Sequence, residues 1–297
     1  MAMPSGLPII DTMIGFPQKD FSQYDFIRRQ TKDRGSREEM QFPVEYMFKQ
    51  VPKDLPADDP IGVTLREMDR FGVAQGLIGV GDEVSRTALK RHPDRFIPSG
   101  NVDDPNDVMG SVQALRRDYE MYGIRAVGAF PAGTFPQVAI DDPKMYPIYA
   151  TCVELDIPIF VCAGIPGPRL KFAPQEVARI DTVMYDFPDL VFVTRHGCEP
   201  WERLAMKLML KWPNLYYSTS RSRPSTTPRR SSSTPTPAAP TRSSTRATSR
   251  WASPSSGSSP TCPTCPSRTR CGPSSCTRTA GVSSNWTSRA GRTCQSR

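Results

Sequence analysis

The sequence predicts an α/β protein whose parallel strands alternate with helices. Between residues 61 and 218, short runs of apolar and β-branched residues alternate with segments in which apolar residues recur every three or four positions. One strand and one helix together occupy roughly 30 residues, the length of a βαβ repeat. Glycines and Asp-Pro pairs stand at the boundaries, where helices end and begin.

Seven strands and six helices follow from this pattern. The strands are predicted at residues 7–13, 74–80, 96–102, 124–130, 157–161, 190–196 and 215–218. The helices are predicted at residues 61–71, 85–91, 104–122, 142–155 and 173–185, with a sixth that begins near residue 201. The third helix is the clearest, because Gly123 ends it and its apolar residues share one face: Val108, Val112, Leu115, Tyr119 and Tyr122.

Two architectures accommodate these strands, a doubly wound sheet and a (β/α)8 barrel. No strand is followed by a G-x-G-x-x-G turn, so nothing favours a dinucleotide-binding fold. A closed barrel requires an eighth strand, which would have to come after residue 220. Residues 16–60 are long for a connection, and their aromatic residues favour a folded lid.

The composition changes abruptly at residue 221, where the predicted barrel domain of residues 1–220 ends. Ser, Thr, Pro and Arg supply 57 of the 77 residues from 221 to 297, and the segment contains no Ile, Leu, Met, Phe or Tyr. Such a segment buries too little apolar surface to offset the entropy lost on ordering, so we predict a disordered tail. The tail holds 13 of the 38 Lys and Arg residues, which leaves residues 1–220 with a net charge of −5 and no electrostatic case for binding nucleic acid.

Three functions are open to the tail: nucleic-acid binding through its arginines, zinc binding at the C-P-T-C motif of residues 262–265, and a mucin-like stalk. The codon pattern favours a fourth explanation. Every tail residue except Val282, Asn285 and Gln295 has a codon with C or G in the middle position. A GC-rich gene that is read one nucleotide out of frame gives this outcome, so we predict that the tail is frameshifted.

The cysteines and the N-terminus indicate the cellular compartment in which the protein is expected. Residues 1–220 contain three cysteines without a pairing motif, as in reduced cytoplasmic proteins. The N-terminus lacks the basic and apolar regions of a signal peptide, and no apolar run approaches the ~20 residues of a membrane span. We therefore expect a cytoplasmic protein whose partner is a small molecule, not nucleic acid or a membrane.

Residues 190–201, L-V-F-V-T-R-H-G-C-E-P-W, combine a buried strand with a polar end. In parallel α/β folds the carboxyl ends of strands carry the ligand-binding and catalytic groups. His196, one of only two histidines, stands at such an end, so we predict that it acts as an acid/base. Arg195 or Glu199 would support it, although alternation along a strand directs Arg195 away from His196. The alternative is a buried histidine that the backbone satisfies.

Several motifs occur together in one known family. They are P-D-R-F at residues 93–96, I-D-D-P with Y-P-x-Y at residues 140–149, the strand and its end at residues 157–164, and H-G with P-W at residues 196–201. With the first strand they resemble the amidohydrolase-related family, which includes aminocarboxymuconate-semialdehyde decarboxylase and resorcylate decarboxylase relatives. The resemblance covers residues 7–220. It implies a (β/α)8 TIM barrel of the metal-dependent hydrolase type, here lacking its eighth strand, and it favours a homodimer.

The resemblance also indicates which positions would hold a metal. The family's first strand ends in D-x-H-x-H, whereas here Asp11 is followed by Met13 and Gly15 at the two histidine positions. Cys162 stands at the next ligand position, and the aspartate of the eighth strand has no counterpart. One thiolate does not make a metal site, so we predict no metal or other cofactor. In the decarboxylase branch the histidine that matches His196 works as acid/base beside the metal.

The predicted function is that of a hydrolase or carboxy-lyase acting on a small, carboxylated or cyclic substrate, with Asp11, Met13, Cys162 and Trp201 at the substrate site. One alternative is a metal-free, inactive barrel that binds a small molecule or a partner subunit. Another is a non-functional frameshift product. For three of these residues a structural role is the alternative to substrate binding. Met13 and Trp201 would be packing residues, and Cys162 would be a small buried residue that replaces a lost ligand.

Overall fold

The structure is a computed structural model that describes residues 8–18, 20–39, 44, 46 and 58–218. Seven parallel strands form one sheet in the order β1-β2-β3-β4-β5-β6-β7. They are β1 (Ile9–Asp11), β2 (Val73–Gly79), β3 (Phe96–Val102), β4 (Val127–Ala129), β5 (Ile159–Cys162), β6 (Phe192–Arg195) and β7 (Leu215–Tyr217). A doubly wound sheet reverses its strand order at a switch point, so that alternative is wrong and the sequential order is that of a barrel.

Six helices connect successive strands, and a short one precedes them. They are α1 (Asp25–Arg28), α2 (Pro60–Arg70), α3 (Glu83–Arg91), α4 (Val108–Tyr122), α5 (Tyr146–Glu154), α6 (Arg179–Asp186) and α7 (Glu202–Lys211). Aspartates cap the N-termini of α2, α3 and α4 by accepting hydrogen bonds from backbone N–H groups of the first turn. Gly123 ends α4 in the left-handed conformation, with φ +61°. The seven predicted strands and six predicted connecting helices are confirmed.

Several predicted boundaries are wrong. Helix α4 begins at Val108 instead of residue 104, and strand β1 ends at Asp11 instead of residue 13. Helix α6 begins at Arg179, because residues Ala173–Gln175 form a separate 3-10 turn whose last side chain bonds to neighbouring loops. Strand β4 covers only Val127–Ala129 of the predicted residues 124–130. The N–H of Arg125 still donates to the carbonyl of Pro98 in β3, so this part of the chain follows the sheet without belonging to the regular ladder.

Alternating side chains along the strands fill two layers of core. The outer layer lies between sheet and helices and includes Val127, Ile148, Tyr149, Ile159, Val161, Val183, Phe192 and Leu208. The inner layer fills the barrel and consists of Leu77, Ala126, Phe160, Val193 and Tyr216. Two residues beyond Ala126, Phe160 and Val193 stand Gly128, Cys162 and Arg195, which therefore face the interior at the carboxyl ends of β4, β5 and β6.

The barrel is open between its first and last strands in the described part of the chain, where β1 pairs only with β2 and β7 only with β6. The predicted fold class, a TIM barrel that lacks its eighth strand, is confirmed on these residues. The predicted disordered and frameshifted tail, residues 221–297, lies outside the described residues. Within the described residues, no helix has both the length and the apolar character needed to cross a membrane.

Candidate active site

The side chain of Arg195 crosses the carboxyl end of the barrel from β6 towards β3. Its backbone is paired in register with Cys162 on β5, and its Cζ lies 5.4 Å from the centroid of the Phe160 ring. A Cβ on Gly128 of β4 would lie 3.1 Å from Nη1 of Arg195 and 3.0 Å from Oδ1 of Asn101. Glycine at position 128 therefore provides the room in which the guanidinium rests beside Asn101 of β3.

The guanidinium of Arg195 is a fixed positive charge in this interior. Burial lowers the pKa of Arg195, and the neighbouring Cys162 opposes that shift. Because an arginine side chain does not lose its proton in proteins, the group remains a cation despite its burial. Arg195 thus places a cation at the barrel mouth.

His196 directly follows β6 and opens a turn of three consecutive left-handed residues. The φ angles are +66° at His196, +80° at Gly197 and +58° at Cys198. A left-handed conformation costs a non-glycine residue roughly 1–2 kcal/mol. Hydrogen bonds hold the turn, because Gly197 N donates to Ser218 O at 3.1 Å and Trp201 N donates to Cys198 O at 2.7 Å. The half-buried imidazole is therefore held at the barrel mouth by a strained, well-braced turn.

The loop after β5 packs backbone to backbone against this turn. Gly164 has φ +93°, and a Cβ there would lie 2.7 Å from the carbonyl oxygen of Glu199 and 2.8 Å from the carbonyl carbon of Cys198. Ile165 N donates to Glu199 O at 2.8 Å. Only glycine permits both this approach and this conformation, so residue 164 fixes the two loops together.

Gln175 ties the loops after β4 and β5 to each other. Its side chain is 2% exposed, Ala132 N donates to its Oε1 at 3.2 Å, and its Nε2 donates to Gly164 O at 3.0 Å. Gly164 N also donates to the backbone oxygen of Gln175 at 2.8 Å. The sequence analysis missed this residue. No local pattern marks it, since its side-chain partners are 43 and 11 residues away.

The described parts of the predicted lid contact the same loops. Gln30 Nε2 donates to the carbonyl of Gly133 after β4, and Asp33 forms an ion pair with Arg169 after β5. The Tyr46 hydroxyl donates to Gly167 O, and Cζ of Arg169 lies 4.7 Å from the Tyr46 ring centroid. These contacts place residues of the 16–60 segment at the carboxyl ends of β4 and β5, where a lid would cover the mouth.

The other predicted site residues lie at the rim or within the packing. Asp11 ends β1, and its carboxylate accepts a hydrogen bond from Met13 N at 2.9 Å. The packing role predicted for Met13 is wrong, because its side chain is 49% exposed. Trp201 is half-buried and packs on Phe172, with ring centroids 5.7 Å apart, and Glu199 is exposed.

The residues at the family's metal positions do not fit a metal ion. Met13 offers only an exposed thioether, Gly15 has no side chain, and Cys162 is a buried thiol beside a cation. In the part of the chain that the structure describes, no group of three or more His, Cys, Asp or Glu residues could hold a metal ion. The absence of a cofactor remains a prediction, and no chemical step below uses a metal.

Sequential parallel strands and connecting helices define a TIM barrel that lacks one strand, with polar residues at the strand ends. A protein-family model described as amidohydrolase matches residues 26–251, and the chain therefore belongs to the amidohydrolase family. The resemblance seen in the sequence is thereby confirmed. No match was found among curated proteins.

Three solved structures are similar to this chain. An uncharacterised TIM-barrel protein from Bordetella bronchiseptica is 24% identical with a TM-score of 0.51, over 72% of this chain and 75% of that one. A 4-oxalomesaconate hydratase from Rhodopseudomonas palustris is 19% identical with a TM-score of 0.43, over 71% and 74%. A putative metal-dependent hydrolase from Lactobacillus casei is 15% identical with a TM-score of 0.47, over 72% and 74%. The first of these supports the barrel fold, and at this identity it carries no information on substrate.

Proposed function

We propose that the chain is a hydrolase or carboxy-lyase that acts on a small, carboxylated or cyclic substrate, with His196 as its acid/base. The observation that carries the proposal is the position of His196. A strained turn holds this residue at the carboxyl end of β6, directly after Arg195 in the chain, in a barrel of the amidohydrolase family. Strain of this kind concentrates at functional sites, where surrounding structure maintains it.

Both reactions need a group that exchanges a proton near neutral pH, which an imidazole does. In hydrolysis, His196 takes a proton from the attacking water and returns it to the leaving group. In decarboxylation, the bond to the carboxylate breaks, its electron pair stays on the substrate carbon, and His196 delivers a proton to that carbon. The Arg195 guanidinium would stabilise negative charge that develops in either transition state. Glu199, exposed on the same turn, is the second supporting residue that we propose.

The test replaces each of the chain's two histidines and measures turnover on a panel of small carboxylic acids, cyclic amides and esters. His196→Asn removes the imidazole, and asparagine tolerates the left-handed backbone better than alanine does. We expect kcat to fall by roughly 10²- to 10⁴-fold, the usual contribution of an acid/base. His92→Asn is the matched control, because His92 caps the C-terminus of α3, ahead of β3, and its loss should leave kcat unchanged. Unchanged turnover in His196→Asn would refute the assignment.

A second candidate is a barrel that binds a small molecule or a partner subunit without turnover. The observation that favours it is the pair Met13 and Gly15 at positions where the family has metal-binding histidines. Metal content and turnover of the purified protein distinguish the two candidates. Bound compounds that raise the melting temperature, with neither turnover nor bound metal, would favour the binding barrel.

A further inference from the structure

The guanidinium of Arg195 lies inside the barrel mouth without a carboxylate beside it. Its Nε is buried and donates no hydrogen bond, and Arg195 forms no ion pair with any Asp or Glu in the described part of the chain. Several other arginines in the described residues form ion pairs with carboxylates. For example, Arg116 pairs with Glu154, and Arg179 Nη1 lies 2.7 Å from Asp141 Oδ1.

An isolated buried cation is unfavourable, because it loses its hydration and gains no opposite charge. The ring of Phe160 attracts the guanidinium but does not accept hydrogen bonds in the plane of its N–H groups. The Cys162 thiol is a weak acceptor. The protein groups around Arg195 therefore leave part of its donor capacity unused, and an external anion would satisfy it.

The mouth is open on the side from which such an anion would arrive. Asn101, next to the guanidinium, is exposed. Gly79 is two residues beyond Leu77 on the inner face of β2, and no atom lies within 4 Å of the position its Cβ would take. Solvent and small molecules thus have access to the interior near β2 and β3, while Phe160 and Cys162 close the floor on the side of β5.

We propose that Arg195 binds the carboxylate of a small organic acid at the mouth of the barrel. This assignment rests on the proposed function, since it concerns the same site and names the substrate class. A planar carboxylate accepts two parallel hydrogen bonds from a guanidinium, and its single negative charge matches the single cation. A phosphate dianion would bring a second negative charge, for which the described residues provide no second cation at this position.

The test measures anion binding by isothermal titration and thermal unfolding, without any need for turnover. The probes are acetate and benzoate, their neutral counterparts acetamide and benzamide, and inorganic phosphate, all at one ionic strength. We expect the carboxylates to bind and to raise the melting temperature of the wild type, because a ligand that binds only the native state stabilises it. The amides should bind at least tenfold more weakly, and phosphate more weakly than the carboxylates.

Arg195→Met keeps much of the side-chain volume and removes the charge. We expect it to lose the carboxylate-dependent rise in melting temperature and to weaken binding at least tenfold. Its melting temperature without ligand should exceed that of the wild type, because a buried unpaired charge has been removed. The control Arg116→Met, at a surface pair with Glu154, should bind carboxylates as the wild type does.

Three results would each overturn the assignment. Carboxylates could still bind to Arg195→Met, the amides could bind the wild type as tightly as the carboxylates do, or phosphate could bind it more tightly than the carboxylates do. If Arg195→Met does not fold, Gly128→Ala serves instead. A Cβ at position 128 would lie 3.1 Å from Nη1 of Arg195 and would therefore displace the guanidinium. Weaker carboxylate binding in that variant supports the proposal, and unchanged binding overturns it. Carboxylate binding in His196→Asn separates the two proposals: it should persist, whatever turnover shows.

Discussion

Gln175 offers the sharpest test of how the site is held together, through the substitution Gln175→Met. Methionine preserves the approximate volume of glutamine and removes both of its polar groups. The change breaks the hydrogen bond from Ala132 N to Oε1 and the one from Nε2 to Gly164 O. Ala132 is fully buried and Gly164 is buried, so water does not replace the lost partners.

The magnitude follows from the two backbone groups left without partners. Each buried unsatisfied donor or acceptor costs about 1–3 kcal/mol. The apolar side chain is easier to bury than an amide, which offsets part of this loss. We therefore expect the free energy of unfolding to fall by about 2–4 kcal/mol. With a urea m-value of about 2 kcal/mol/M, the midpoint moves down by about 1–2 M.

Urea unfolding measures this loss, and amide hydrogen exchange localises it. The Ala132 amide should exchange faster in the variant, because the acceptor of its hydrogen bond has been removed. Gln75→Met is the matched control: Gln75 Nε2 donates to Asp94 O at an exposed position, so its loss should cost less than about 0.5 kcal/mol. The reasoning fails if Gln175→Met loses no more stability than Gln75→Met.

Three further substitutions test other features. Tyr149→Phe removes the hydrogen bond that the fully buried hydroxyl donates to Ile140 O at 2.7 Å, and urea unfolding should show a loss of about 1–2 kcal/mol. Tyr146 is half-buried and its hydroxyl donates to Asp186 at an exposed position, so Tyr146→Phe should lose clearly less, and equal losses would contradict this. Burial raises the pKa of Asp156 from 3.8 to about 6, so the native state favours the protonated form and stability falls as pH rises between about 4 and 6. After allowance for solvent screening, the free energy of unfolding of Asp156→Asn should exceed that of the wild type by about 1 kcal/mol at pH 7.5. The two proteins should be equally stable at pH 3.5, and a gain in stability that does not depend on pH would contradict this. Gly123→Ala places a side chain at φ +61°, so the melting temperature should fall by an amount equivalent to about 1 kcal/mol, and an unchanged value would contradict the strain argument.

The order of elements was predictable from the sequence because apolar runs, glycines and Asp-Pro pairs act locally. The same patterns placed Arg195 and His196 at the end of β6, where the structure has them. The path of the Arg195 side chain was not predictable, because it depends on the register that aligns Cys162 with Arg195 and on the absence of a side chain at Gly128. These relations join residues more than 30 positions apart.

Local sequence patterns also do not determine the exposure of Met13, the role of Gln175 or the cellular properties of the protein. Met13 occupies a position that the family fills with a ligand, and its side chain is exposed. The role of Gln175 depends on two loops that meet only in the folded chain. The cytoplasmic location, the homodimer, the small-molecule partner and the frameshifted tail remain predictions, to be checked by fractionation, sedimentation, binding assays and DNA sequencing.

The loop after β5 acts as a mechanical link between the two halves of the site. At one end Gly164 packs against the turn that carries His196, and Ile165 N donates to Glu199 O of that turn. At the other end Gly167 and Arg169 contact the segment predicted to be a lid. Only a few residues separate these contacts, so we predict that a movement of the lid segment displaces the turn. A ligand that favours one lid position must then favour one position of the turn, and the coupling free energy is the same in both directions. Lid closure and imidazole alignment would consequently be two readouts of a single equilibrium.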